Sequence, residues 1–294
     1  MNKLVLLPVA LCFTTSCIRE DLSTCPPLQI DVVVKDKNYA NVTDADGYEM
    51  PKDESLPFKD FVSTLYYRIC DVNTGAVIKE QTSIQVTGEA KTFPIELPVE
   101  LPFGQYALTV WGNLPTERPV GESADCVDLY VGAAQASDIY VATDTINYSM
   151  LQSHFTSELE RTKGKLLVLA EQLPDSVNHA QYTVRDVYSS VTSFLSYQKP
   201  VTLSFEAPWQ NQSPLLSSVL LAPSSQGGKS GMHMSFVHRN ESIKEVWQPE
   251  DITLSMKRNK LTIVRYVYQK QPDVFDIYVL VDDTWEKVHG MNVD

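Results

Sequence analysis

The sequence predicts an all-β protein in which two tandem β-sandwich domains follow an N-terminal signal peptide. Three observations support this fold class. Apolar and polar residues alternate with a period of two in most segments, turn residues separate these segments at short intervals, and the 3.6-residue period of helices is almost absent. About seven strand-like segments occur in each half of the 294-residue chain, which favours two sandwiches over one large barrel.

The first sixteen residues have the pattern of a secretory signal peptide. Lys3 supplies a positive charge, an apolar stretch runs over residues 4–13, and the small residues 14–16 precede Cys17. The apolar stretch has about ten residues, whereas a helix that spans a bilayer needs about 20. We therefore predict that residues 1–16 are a signal peptide.

Cys17 directly follows this cleavage site and is the predicted point of lipid attachment. Its thiol can carry a diacylglycerol group and its freed amine a further acyl chain. Each buried CH₂ contributes about 0.8 kcal/mol, so three acyl chains hold a protein on a membrane. Cys12 is the weaker candidate because Leu11 before it is bulky. Residues 17–27 then form a lipidated tether; the alternative is a secreted protein in which Cys17 is structural.

The composition limits the partners of the chain. A formal net charge of −13 and the absence of clustered Lys and Arg argue against nucleic acid. No second apolar stretch is long enough to span a bilayer, so the predicted membrane contact is the lipid alone.

The cysteines that remain in the mature chain form an odd set. Cys70 ends a strand-like run and is expected to be a buried small hydrophobe. Cys25 and Cys126 are a possible disulfide pair that would stabilise the fold by about 3–5 kcal/mol in the entropic model. The sequence leaves this pairing open.

In the first half, the alternating segment 28–34 predicts the first strand. Residues 38–57 are polar and predict a loop, and residues 71–75 predict a hairpin turn. Pro94 and Pro98 interrupt one segment, which is therefore expected at a sheet edge. The further predicted strands are 61–70, 76–79, 83–86, 92–101, 105–111, 127–131 and 139–143.

Residues 147–163 show no clear apolar face, and we place the domain boundary there. The predicted domains are 28–152 and 153–294. Residues 257–260 predict a hairpin turn in the second half. The predicted strands of that half are 165–170, 181–188, 201–205, 218–221, 232–237, 252–256, 261–268 and 274–281.

The sequence contains no complete motif of catalysis or cofactor binding. Residues 225–230 imitate the end of a phosphate-binding loop, but Pro223 stands where that motif needs glycine. His233 and His238 are five residues apart on a predicted strand and therefore face opposite sides. The sequence thus predicts no enzyme, no cofactor, no metal site and no small-molecule substrate. Tryptophans that could stack on sugars are scattered and are expected to pack in the domains; they are Trp111, Trp209, Trp247 and Trp285.

Several short motifs occur in a fixed order along the mature chain. Cys25-Pro26-Pro27 follows the lipoprotein cysteine, and the Asp-x-x-x-Gly turn 71–75 follows the first strand. Residues 101–113 read L-P-x-G-x-Y…W-G-N, the basic segment 161–165 opens the second half, and Trp285-Glu286-Lys287 closes the chain. In this order the motifs resemble the fimbrial anchor, or minor-subunit, family of the type V pili of Bacteroidetes.

This resemblance implies transthyretin-like sandwiches and a role at the pilus base, where a lipidated protein ties the fibre to the outer membrane. It implies pilin subunits as partners, joined by β-strand addition. Pilins of this system lose their first strand to a trypsin-like cut, but Lys35 and Lys37 rather than arginine follow segment 28–34 here, so we expect it to be retained. Glu20-Asp21 resembles the acidic export tag of surface lipoproteins, which favours the outer surface.

Two other classes of function compete with a fimbrial protein. A surface glycan-binding lipoprotein of a polysaccharide-uptake system would need aromatic side chains exposed together on one loop face. An enzyme would need convergent acids or a histidine-centred site, which the sequence does not supply.

Overall fold

The computed structural model describes residues 26–45, 47–98, 101–121, 125–209, 214–239, 244–281 and 284–289. Residues 1–16, Cys17 and Cys25 lie outside these ranges, so the signal peptide, the lipid and the disulfide stay predictions. Among the described residues, no helix has the length and apolar character needed to cross a membrane.

The chain is all-β, as predicted. The described residues form 18 strands and three short 3₁₀ helices at Val42–Asp44, Phe58–Asp60 and Gly132–Gln135. The strands are β1 Gln29–Val34, β2 Thr64–Asp71, β3 Val77–Gln85, β4 Phe93–Ile95, β5 Gly104–Gly112, β6 Cys126–Asp128, β7 Tyr140–Tyr148, β8 His154–Arg161, β9 Gly164–Glu171, β10 His179–Thr192, β11 Tyr197–Pro208, β12 Leu215–Leu221, β13 Ser230–Arg239, β14 Lys244–Trp247, β15 Ile252–Leu254, β16 Leu261–Gln269, β17 Val274–Val281 and β18 Thr284–His289.

The first domain is one curled sheet in the order β3-β2-β5-β7-β8-β1-β4. Its two halves face each other across a core to which β1, β2, β5, β7 and β8 all contribute. β1 runs parallel to β8 and antiparallel to β4. Because β1 alternates, Ile30 and Val32 point into this core and are fully buried. The predicted first strand is therefore a central strand of the domain.

Local sequence explains two further features of this domain. β4 contains Pro94, which lacks a backbone N–H, and β4 is an edge strand, as predicted. The β2–β3 turn is held by the carboxylate of Asp71, which accepts the backbone N–H groups of Asn73 and Thr74 at 2.9 and 2.8 Å. Gly75 completes the turn with a φ of 71°, a conformation that favours glycine.

The second domain is a sandwich of two sheets. One has the order β11-β10-β13-β14, with β15 beside β13 and β6 beside β10; the other has the order β12-β9-β16-β17-β18. A large core lies between the two sheets and includes the fully buried Tyr182, Phe236 and Tyr266. The tandem-sandwich prediction is confirmed.

The sheet assignment corrects the predicted domain boundary. β8 lies within residues 147–163 and belongs to the first sheet, so the boundary falls at the end of this segment rather than at residue 152. The first sheet continues to Arg161, beyond the predicted end at residue 152, and the second domain's sheet begins with Gly164. β8 was not recognised as a strand in the sequence because its buried face carries Ser157 and Arg161 as well as Leu159.

The hairpin prediction at residues 257–260 is wrong. β15 pairs with β13 in one sheet, whereas the following β16 pairs with β9 and β17 in the other. The turn therefore carries the chain between sheets. Its Asn259 has a φ of 51°, a conformation that asparagine tolerates better than most residues.

Two segments of the first half of the chain lie against the second domain. The connection between β5 and β7 contributes β6, which pairs with β10. Tyr39 and Ala45, in the predicted loop 38–57, pack on Leu167 and Ile263 of the outer sheet face. The loop also bonds the second domain directly, because the side chain of Asn41 bonds both backbone groups of Leu261. The two domains are thus joined by interleaved chain segments as well as by one connection.

Candidate functional site

β7 and β8 form a hairpin that is paired only at its two ends. Tyr140 and Val141 pair with the end of β8, and Ser149 bridges Gln152 in the turn. Between these points the strands separate, although β7 remains paired with β5 along its full length. We call the opening between residues 142–148 and residues 153–159 the seam.

Backbone groups of β7 face the seam without a strand partner on that side. The carbonyl of Ile139 accepts the N–H of Thr162, at 2.9 Å, on the side of β8. Since backbone direction alternates along a strand and β7 shows no register shift against β5, the N–H and C=O groups of Thr143, Thr145 and Asn147 point the same way. The seam is therefore an open strand edge.

The end of the seam nearer the second domain is a groove of about 450 Å³ whose walls carry three carboxylates and Lys35. Its lining includes Asp144 of β7 and Glu158 and Glu160 of β8. Lys35 bonds Glu160 at 2.8 Å and lies 3.8 Å from Glu158. Burial raises the pKa of Glu160, but the ion pairs with Lys35 and Arg258 outweigh burial and hold this pKa below its ordinary value. The carboxylate of Glu160 is thus ionised at neutral pH.

The rim of the seam comes from the second domain. The hydroxyl of Thr143 donates to the carbonyl of Ser193, at 2.9 Å, in the β10–β11 hairpin. The next residue, Phe194, lines the groove and is 77% exposed. An apolar side chain, open backbone groups and carboxylates therefore meet at one place, an arrangement suited to an extended peptide with basic residues.

The basic segment 161–165 lies at the junction of the two domains. Arg161 is buried, and its guanidinium donates to Asp138 at 2.9 Å, to Asn259 at 2.7 Å and to the hydroxyl of Tyr140 at 2.6 Å. It also stacks on Tyr39, 4.3 Å from the ring centre. Burial disfavours its charge, but the carboxylate of Asp138 outweighs burial and raises the pKa of Arg161. Arg161 therefore binds groups from both domains together.

Lys163 is fully buried at the same junction. Its ammonium donates to the carbonyls of Gln135 and Ser137 at 3.3 and 3.2 Å and lies 5.3 Å from the ring centre of Tyr130. Burial lowers the pKa of Lys163 to about 7, against the opposing effect of Asp138. The basic segment thus has a structural place in the fold and is not an exposed cationic surface.

The cysteines that the structure describes lie in different domains. Cys126 begins β6 beside β10 in the second domain, and its predicted partner Cys25 lies outside the described residues. Cys70 is in β2 of the first domain and is half-buried rather than buried.

The motifs that imitate catalytic sites have structural explanations. Gln226 pairs with Lys229 across Gly227 and Gly228, which both have positive φ, so the glycine-rich segment is a tight turn. The imidazole of His233 bonds the carboxylate of Asp251 at 2.7 Å. Within the described ranges, no group of three His, Cys, Asp or Glu side chains could hold a metal ion.

The four tryptophans do not form an exposed platform. Trp111 is fully buried between the domains. Trp209 and Trp247 are half-buried against the core of the second domain, and Trp285 is half-buried beside the loop that carries Tyr39.

Sequence reasoning missed the seam. The signal available was the polar character of residues 154–158, where His154, Thr156 and Glu158 are exposed, since exposed polar and charged side chains are typical of strands at an edge. Without the position of β7, that pattern indicated a domain boundary.

Solved structures share this fold, although no protein-family model and no curated protein matches the chain by sequence. A candidate polysaccharide-binding protein from Bacteroides thetaiotaomicron has a TM-score of 0.58 and 11% identity, over 89% of this chain and 98% of that one. A candidate adhesin from the same species has a TM-score of 0.57 and 12% identity, over 92% and 100%.

The fimbrial anchor protein Mfa2 from Porphyromonas gingivalis has a TM-score of 0.51 and 13% identity, over 90% of this chain and 100% of that one. The likeness extends over nearly the whole length of each of these proteins, so it includes both sandwiches and their order. This chain therefore has the two-domain all-β fold of a group of Bacteroidetes structures that includes candidate adhesins and a fimbrial anchor.

Proposed function

We propose that this protein is a lipid-anchored protein of the outer membrane that anchors or helps to assemble surface fimbriae in cell adhesion. Its role is structural rather than catalytic. Cys17 carries the lipid, the two domains stand at the cell surface, and pilin subunits bind through strand addition. The observation that supports this most directly is the open seam, in a fold shared with a fimbrial anchor.

The seam is the proposed contact with the fibre. An extended segment of a pilin subunit lies along β7, where its backbone bonds Thr143, Thr145 and Asn147. Basic side chains on that segment meet Glu158, because opposite charges favour encounter and register, while the carboxylate of Asp144 accepts the hydroxyl of Ser157 across the seam. The segment thereby closes an edge that otherwise exposes unpaired backbone groups.

The position of β1 supports the prediction that this strand is retained in the mature protein rather than removed by cleavage. β1 lies between β8 and β4, and Ile30, Val32 and Val34 belong to the core. Its removal would expose this core to water. The seam is open while β1 is in place, so strand addition there does not require the removal of β1.

We expect Cys17→Ala to release the protein and the fimbriae from the cell. The acyl chains supply the binding energy that holds the protein on the membrane, so without them the protein leaves the membrane pellet and fimbriae collect in the medium. Fractionation and electron microscopy measure both outcomes, with a gene deletion as reference. Cys12→Ala, inside the predicted signal peptide, is the matched control and keeps both on the cell. Membrane retention of the Cys17→Ala protein, or unchanged fimbriae after deletion, contradicts the proposal.

We expect Thr145→Pro to weaken binding of the pilin subunit. Proline removes the N–H that faces the seam and leaves an acceptor of the incoming strand unpaired, which costs about 1–3 kcal/mol, or roughly 5- to 150-fold in affinity. Thr145→Ala keeps the N–H and is the control. Co-purification of pilin from cells gives the comparison, and thermal melts confirm that both variants are folded. Equal pilin recovery with both variants would exclude the seam as the contact.

The competing function is a glycan-binding lipoprotein, which the likeness to a candidate polysaccharide-binding protein favours. The buried and half-buried tryptophans weigh against it, because sugar stacking needs exposed aromatic faces. Pull-down on polysaccharides, lost when exposed aromatics are changed to alanine, would support this alternative.

A further inference from the structure

One end of the first domain collects exposed apolar side chains. The turn between β7 and β8 consists of Met150 and Leu151, between the bridged Ser149 and Gln152. Leu151 is 98% exposed and Met150 51%. Beside them Phe103, 42% exposed, packs its ring edge-on against Tyr148, with 4.9 Å between ring centres.

The described chain enters the fold at this same end. The hydroxyl of Tyr148 donates to the carbonyl of Pro26 at 2.6 Å, and the N–H of Gln29 donates to the carbonyl of Ser153 at 2.8 Å. Pro26 and Pro27 therefore run beside the turn that carries Leu151. We call the four segments 26–28, 71–76, 101–103 and 149–152 the tether end.

The tether end carries little charge, although the whole chain has a net charge of −13. Asp71 is the one ionisable side chain in these four segments, and its carboxylate is occupied by the N–H groups of Asn73 and Thr74. Anionic lipid surfaces repel acidic protein surfaces, so a weakly charged apolar end meets less repulsion there than an acidic surface would.

We infer that the tether end is a second membrane contact, in which Leu151, Met150 and Phe103 insert into the interface of the lipid bilayer. This inference rests on the proposed lipid attachment at Cys17. Eight residues separate Cys17 from Pro26, so the distance from the lipid to Pro26 is at most about 30 Å. The tether therefore holds these side chains close to the bilayer. Their high effective concentration at the membrane makes even a weak insertion favourable.

Insertion fixes the orientation of the protein on the membrane. The acidic groove of the seam and Phe194 lie toward the opposite end of β7, at the junction with the second domain. With the tether end in the bilayer, this groove lies at the end of the seam farther from the membrane, where an arriving fibre subunit has access. A lipid tether alone would leave the orientation free.

Brominated lipids test the contact, because they quench tryptophan emission only within the bilayer. The acylated mature protein with Leu151→Trp is reconstituted in vesicles of phosphatidylethanolamine and phosphatidylglycerol, with and without brominated acyl chains. Phe194→Trp is the matched control, since Phe194 is also an exposed apolar residue at a hairpin tip. Both sites are exposed, so both variants are expected to fold, and melting temperatures check this.

The inference predicts that most of the added tryptophan emission is quenched in Leu151→Trp and none in Phe194→Trp. Absence of quenching at residue 151, or equal quenching at both residues, overturns it. Release of fimbriae by Cys17→Ala is a separate readout, so the proposed function can hold while this inference fails.

Discussion

Replacement of Gly164 by alanine is expected to destabilise the protein by at least about 3 kcal/mol, because the added Cβ collides with backbone. The turn 257–260 lies directly over Gly164 at the start of β9. A Cβ there would be 2.1 Å from the carbonyl oxygen of Lys257 and 2.7 Å from that of Lys260. Backbone oxygens cannot rotate away, and the turn is tied to the same strand by the bond from Lys165 N–H to Lys260 at 3.0 Å.

Thermal and denaturant unfolding measure this effect. A loss of 3 kcal/mol corresponds to a fall of roughly 6–12 °C in Tm for domains of this size. Gly104→Ala, at the start of β5, is the matched control, because the nearest atom to its Cβ is a side-chain oxygen of Tyr106 at 3.7 Å. That variant is expected to stay within about 0.5 kcal/mol of the parent. A folded Gly164→Ala protein with an unchanged Tm would show that the crossing turn lies elsewhere.

Replacement of Trp111 by alanine is expected to cost about 3–5 kcal/mol and to loosen the contact between the domains. Tyr66, Trp111 and Val141 form one row across β2, β5 and β7, on the face opposite the core of the first domain. The fully buried indole packs with Val127 and Val191 of the second domain's side of the junction. Alanine leaves a cavity that neither domain can fill.

Trp111→Phe separates ring packing from hydrogen bonding at this site. The indole nitrogen is buried and has no hydrogen-bond partner among the described residues, so phenylalanine removes an unsatisfied donor while it keeps one aromatic ring. We expect it to cost less than half as much as alanine. Unfolding curves of the two variants decide this, and equal losses would mean that the nitrogen has a partner after all.

The junction has a consequence for a fibre anchor. Trp111 and Arg161 hold the second domain, which supplies the rim of the seam, against the first domain. Loss of either contact lets the β10–β11 hairpin that carries Phe194 move away from the groove.

The parts of the fold that could be predicted from the sequence are those with a regular pattern. Segment 28–34 alternates cleanly and is β1, and the prolines around residue 94 marked an edge strand. β8 was missed because Ser157 and Arg161 occupy its buried face, where the period-two pattern expects apolar residues. A buried arginine is tolerated there only because Asp138, Asn259 and Tyr140 complete its bonds.

Of the candidate sites, the lipid attachment at Cys17 could be predicted from local sequence, because a signal sequence is read as an unfolded segment. The seam could not be. It depends on the place where β7 and β8 separate, and that place is decided by the pairing of β8 with β1, a strand more than 100 positions away.

By itself the sequence determined the fold class, the number of sandwiches and the expectation of a surface lipoprotein, since alternation, turn residues and the N-terminal signal are local properties. Only the tertiary structure decided which strands share a sheet, where the domains meet, which edge is open and which apolar residues remain exposed. These are pairings between distant segments, and each depends on how buried polar groups such as those of Arg161 and Lys163 find partners that no local pattern reveals.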